Sequence, residues 1–264
     1  MKKVIGTIIL IIAIICFGWS AFSLGKYAWQ TWTTQKNLDN LADKVNNDTI
    51  SIPDTDKESG ESEDPVSESE AMMEKYGELY KENKDFIGWL SVEGTKINYP
   101  VMYTPNDPEY YLRKNFDGDY DIGGMLFVDA RCTFNPTSTD TIIYGHHMNN
   151  GTMFGPLMDF QDNDYLKKHT TITFDTMYRP GTYKIFASFQ SKAYDPDSEE
   201  FKYYDFINAE TSYDFEEYLN NIKNLSLYYD EENAPSFGDE IITLSTCDYY
   251  TTDGRFAVLA KRIK

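Results

Sequence analysis

The chain is poor in basic residues and in cysteine. Lysine and arginine number 24 against 43 aspartates and glutamates, for a formal charge of −19 with no basic tract. A phosphate backbone needs a basic face, so no nucleic-acid partner is expected. Only three cysteines occur, and one of them, Cys16, lies in an apolar N-terminal run. An odd, small count argues against a disulfide scaffold and leaves Cys132 and Cys247 as thiols that are buried or reactive. Histidine is equally scarce, with three residues. No Cys/His spacing suits zinc and no phosphate-binding loop is present. DPDSEEFKYYDF and DGDYDIGGMLFV begin like calcium loops but lack the sixth-position Gly and twelfth-position Glu. We expect no metal and no cofactor.

Against these absences stands one long hydrophobic run. Val4 to Leu24 is uncharged and apolar over 21 positions, long enough at about 1.5 Å per residue to cross a hydrocarbon core of roughly 30 Å. It exceeds the apolar region of a cleavable signal, so residues 1–25 are read as a membrane anchor. Lys2 and Lys3 place the N-terminus in the cytoplasm and the rest of the chain outside, as a single-pass protein. Residues 26–70 are expected to form a juxtamembrane segment and a flexible acidic linker. Between Asp48 and Glu70 nine acidic residues face one lysine, and such a stretch cannot bury enough apolar surface to offset its ordering entropy. Leu38, Leu41 and Val45 show weak helical periodicity with little in sight to bury them.

From Ala71 to Lys264 the pattern is that of a folded domain, opened by a helix over MMEKYGELYKENKDF. Short β-rich runs follow: IGWLSV, INYPVMY, MLFVD, TDTIIYG, TITF, TYKIFASFQ, EIITLST and RFAVLA. Helical stretches interrupt them near Phe154–Lys168 and Thr211–Asn224. Seven or eight strands with few helices predict a mainly β domain, a closed or nearly closed barrel.

The strand EIITLSTC alternates. Ile242 and Leu244 share one face; Thr243, Ser245 and Cys247 share the other. Cys247 therefore keeps company with hydroxyls rather than with the core. A nucleophilic thiol needs a proton partner and a group to stabilise an oxyanion. His169 lies in a polar turn and reads as a surface residue. His146 and His147 end TIIYG, and in an extended segment only one of two neighbours faces a given cleft; Ile142, Tyr144 and His146 share a parity. If the last two runs form a hairpin, Arg255 returns beside Cys247. There a fixed cation favours the thiolate and offers fork-shaped donors to a carbonyl.

TLSTC with an arginine eight residues on, TIIYGHHMNNGTMFGPL about a hundred residues upstream, and the N-terminal anchor together resemble a class B sortase, over roughly Met72 to Lys264. The resemblance implies an eight-stranded sortase β-barrel with an N-terminal helix and a helix between its sixth and seventh strands, near Thr211–Asn224. It implies Cys247 as nucleophile, His146 as acid/base partner and Arg255 as substrate and oxyanion stabiliser, with Tyr144, Ser245 and the backbone N–H of Asp248 lining the site. The implied reaction cleaves a sorting motif of secreted surface proteins after Thr and forms a thioester. It then passes the acyl group to an amine of the cell-wall peptidoglycan precursor or a pilin lysine. A secreted cysteine hydrolase and a non-enzymatic surface module are the rival readings. Cys132, in FVDARC, has no place in the pattern.

Overall fold

The structure, a computed structural model, describes residues 2–47, 65–248 and 252–264. The acidic linker expected between Asp48 and Glu70 lies mostly outside the described residues. A single helix, α1 (Lys2–Asn47), carries the apolar run and continues well past it. Its first half is exposed along its length, and it is the one helix among the described residues long and apolar enough to cross a membrane.

The second half of α1 departs from the sequence expectation. Leu38, Leu41 and Val45 are buried, and the stripe they form packs on the domain together with Met72, Tyr76 and Leu79 of helix α2 (Pro65–Glu82). The same i, i+3/i+4 spacing on both helices gives each one apolar face. Lys44 bonds Glu82 across the pair at 2.7 Å, and Thr34 donates to Asp121. Residues 34–45 are thus part of the packed unit rather than tether; the partner for their stripe was distant in sequence.

The strands are β1 (Phe86–Val92), β2 (Asn98–Met102), β3 (Leu126–Val128), β4 (Asp140–Tyr144), β5 (Thr171–Thr176), β6 (Thr182–Lys192), β7 (Ser226–Tyr229), β8 (Ile241–Asp248) and β9 (Gly254–Arg262). Their order is β5-β1-β2-β3-β4-β8-β9-β6-β7, and β5 also pairs with β6. That last pairing closes eight strands into a barrel and leaves β7 as a short addition on β6. The sequence reading anticipated all eight barrel strands and missed β7, a four-residue run with no alternation. Between β4 and β6, Gly155–Gln161 forms a 3₁₀ turn and Asn163–Leu166 the short α3.

Helix α4 (Ser212–Leu225) connects β6 to β7. Thr211 caps it, accepting from Asp214 N–H while the Asp214 carboxylate accepts from Thr211 N–H. Phe215, Tyr218 and Ile222 form its buried face. They cover the outside of β6, β8 and β9 in a second core with Phe186, Phe189, Tyr203, Ile241, Ala257 and Leu259. Ile242, Leu244, Phe256 and Val258 fill the barrel interior. The central strands are therefore buried on both faces, and the hydroxyl face of β8 lies under α4 rather than open to solvent.

Candidate active site

The parallel pairing of β4 with β8 and the antiparallel pairing of β8 with β9 bring the predicted residues together. Tyr144 lies opposite Ser245, and Cys247 directly opposite Arg255. The eight-residue spacing of cysteine and arginine is the span of this hairpin. All four residues, with His146, line one cleft of about 720 Å³ at the strand ends. Asp248, also expected at the site, is buried; Gln190 Nε2 donates to its carboxylate at 2.9 Å, and it is not among the cleft-lining residues.

Past Tyr144 the chain leaves β4 through Gly145, and the two histidines part. A Cβ on Gly145 would stand 2.4 Å from Leu126 and 2.7 Å from Phe154, so only glycine lets the chain pass here. His146 enters the cleft, its Nε2 at 2.7 Å from the Leu112 carbonyl. A carbonyl only accepts, so Nε2 carries the hydrogen and Nδ1 is the basic nitrogen of the neutral ring. Burial lowers the His146 pKa, the Leu112 bond opposes this, and Arg113 adds to it. The net shift favours the neutral imidazole. His147 points elsewhere, its Nδ1 at 3.2 Å from the Cys247 carbonyl. His169 bonds the Glu93 carbonyl and packs at a tilt against Tyr165, and it is not among the cleft-lining residues.

Arg255 donates through Nη1 to the Gly254 carbonyl at 3.0 Å and more weakly to that of Asp253. Among the described residues its Nε and Nη2 make no hydrogen bond. Ser245 Oγ lies 2.6 Å from the Tyr203 hydroxyl. Burial pushes the Tyr203 phenol up to about 12; Ser245 and Arg255 counter this and Cys247 adds to it. The Tyr144 hydroxyl donates to Asp129 Oδ2 at 3.0 Å, and Arg131 grips the same carboxylate through Nε (2.9 Å) and Nη2 (2.7 Å). Burial would raise the Asp129 pKa, but the Arg131 and Tyr144 bonds outweigh it and hold it below the usual range. Arg131 also donates to the Tyr204 carbonyl, tying the 203–205 turn to this wall.

A thiol, an imidazole with a basic Nδ1 and a guanidinium on one cleft suit acyl transfer. A sortase-domain model matches residues 90–263 of the chain. The chain belongs to the sortase family. This sortase falls in class B. It is 37% identical to sortase B of Listeria monocytogenes over 171 residues, covering 65% of this chain and 66% of that protein. To sortase B of Staphylococcus aureus it is 32% identical over 197 residues, covering 74% and 77%. A Staphylococcus aureus sortase B–substrate complex superposes with a TM-score of 0.64 at 30% identity, covering 75% of this sortase and 92% of that chain. A mutant form of Clostridium perfringens sortase B gives 0.69 at 26% identity, covering 87% and 98%. The sortase is a cysteine transpeptidase.

Several of its cleft residues escaped the sequence reading. Tyr203 and Tyr204 belong to a segment set aside as a failed calcium loop, and the paired tyrosines were the available signal. Leu112 acts through its backbone, which no side-chain pattern shows. Cys132 is fully buried with its Sγ 3.5 Å from the Asp140 carbonyl, and burial pushes its thiol up to about 12. It packs in the main core and is not among the cleft-lining residues.

Proposed function

We propose that Cys247 attacks the carbonyl of the residue, Thr by family resemblance, before the scissile bond of a sorting motif. The observation that carries this is the direct pairing of Cys247 with Arg255 on a cleft that His146 also lines. The thiol proton passes to His146 Nδ1 as the S–C bond forms, and the Arg255 fork stabilises the oxyanion. His146 returns the proton to the departing amine as the C–N bond breaks, leaving a thioester. An incoming amine attacks that thioester, loses its proton to His146 and departs as a new amide while the thiol is restored. Tyr144 and Ser245 line the walls against which the peptide lies, and the Asp248 N–H is a further candidate contact at the end of β8.

The acceptor is an amine of a peptidoglycan precursor or a pilin lysine. Residues 71–264 form the catalytic domain, and the apolar half of α1 anchors it in the membrane with the N-terminus cytoplasmic and the barrel outside. The test is incubation of the sortase with a sorting-peptide library, with and without an added amine, followed by mass spectrometry. Amine-dependent joined products that vanish in Cys247→Ala support the reading; release of the free acid alone, unaffected by amine, would replace it with hydrolysis.

A further inference from the structure

His147 takes no part in that chemistry, yet its side chain meets the backbone of Cys247. A parallel ladder places successive donors two residues apart on one strand. Between β4 and β8 the Gly145 N–H donates to the Ser245 carbonyl at 3.2 Å, so the next rung runs from residue 147 to the carbonyl of residue 247. The backbone does not make that rung. Beyond Gly145 the chain turns into a tight loop: Phe154 N–H donates to the His146 carbonyl at 3.0 Å, His147 bridges Met153, and buried Met153 holds a φ of 52°. The turn that brings the His146 ring into the cleft thus withdraws the 147 amide from β8. In its place stands His147 Nδ1, 3.2 Å from the Cys247 carbonyl. Because that carbonyl can only accept, Nδ1 is the donor.

We infer that His147 is a positioning residue whose imidazole replaces the missing ladder rung and fixes the histidine loop to the nucleophile's strand. This rests on the reading of Cys247 and His146 as the reacting pair. Cys247 is held on one side by β9, opposite Arg255, and on the other by the residue adjacent to His146. That side-chain bond is the last link along the ladder between the histidine loop and the nucleophile's strand. Thr246 supports the same junction from the other strand, its Oγ1 donating to the Gly145 carbonyl at 2.9 Å.

The geometry specifies its own test. Asparagine places an N–H donor where Nδ1 stands, whereas glutamine places it one bond farther out. Peptide transpeptidation is measured for the parent, His147→Ala, His147→Asn, His147→Gln, His146→Ala and Cys247→Ala, with a thermal melt of each. His147→Ala should lower kcat about tenfold, the scale of one lost donor, with KM and Tm nearly unchanged. His147→Asn should restore kcat to within about threefold of the parent, and His147→Gln should not. His146→Ala should lose about 10²-fold or more. A His147→Ala variant with parent kcat would overturn the inference, as would equal rescue by Asn and Gln, or a loss that follows a fall in Tm. Activity surviving in Cys247→Ala would instead overturn the underlying assignment of the nucleophile.

Discussion

Asp140 carries a testable burden beneath the nucleophile's strand. Its carboxyl is wholly buried between β4, β8 and α4. One oxygen accepts from Thr243 Oγ1 at 2.8 Å and from the Tyr218 hydroxyl at 3.1 Å; the other has no hydrogen-bond partner among the described residues. Burial pushes its pKa up to about 7, and the bonds from Thr243 and Tyr218 recover only part of the shift. In the unfolded chain the group ionises near its ordinary value of about 3.9. Between those values the folded state keeps a proton that the unfolded chain has released. Stability therefore falls as pH rises through this window and levels off above about 7. From pH 5 to pH 8 the loss amounts to roughly 2–3 kcal/mol. Asp140→Asn retains an acceptor for Thr243 and Tyr218 and cannot ionise. Its stability relative to the parent should improve by that amount over the same interval, and the comparison cancels the contribution of every other titrating group. For a domain of this size roughly 1 kcal/mol moves Tm by about 2–4 °C, so the Tm difference should change by about 4–12 °C between pH 5 and pH 8. Circular-dichroism melts of both proteins across that range measure it. A Tm difference that stays constant with pH, whatever its sign, would refute the buried-charge reasoning.

Cys247→Ala should abolish thioester formation, seen as the missing acyl-enzyme mass, while Cys132→Ala should keep most turnover; the opposite outcome would reverse the assignment. Arg255→Lys should fall at least about tenfold in kcat/KM, since a point charge reproduces a directed fork poorly, with iodoacetamide alkylation of the thiol near the parent rate. Parent-like peptide turnover there would reduce Arg255 to a background charge. A chain beginning at Glu70 should melt at least about 5 °C below one beginning at Tyr27, because it loses the burial of Leu38, Leu41 and Val45. Equal melting temperatures would show that the docked half of α1 adds nothing to stability.

The barrel and the core of the site were legible because their signals are local. Strand alternation put Cys247 with Ser245, hairpin length returned Arg255 to Cys247, and the parity of neighbouring histidines separated His146 from His147. What escaped depends on distant partners. The hydroxyl face of β8 was visible, but its cover of Tyr203, Tyr218 and α4 comes from a connection whose placement no short pattern encodes. The tautomer of His146 rests on a main-chain carbonyl 34 residues away. The stripe on α1 is visible in the sequence, but its counterpart on α2 lies beyond the acidic segment, so no local pattern shows what buries it.

That stripe changes what the acidic segment can do. Val45 at one end and Met72 at the other both sit on the barrel, so the chain between them leaves from and returns to the same body. Lengthening it would not lift the enzyme off a bilayer. With the apolar half of α1 in the membrane, as proposed, the stretch from Leu24 to Thr34 sets that height, about 15 Å of helix at 1.5 Å per residue. A helix also turns about 100° with every residue. Inserting one alanine in this stretch would raise the cleft by little more than an ångström yet swing its mouth through more than a quarter of a circle about the helix axis. The anchor thus fixes a compass bearing as well as an altitude, and a one-residue insertion series read out as surface-protein display on cells would trace that bearing as a periodicity of 3.6.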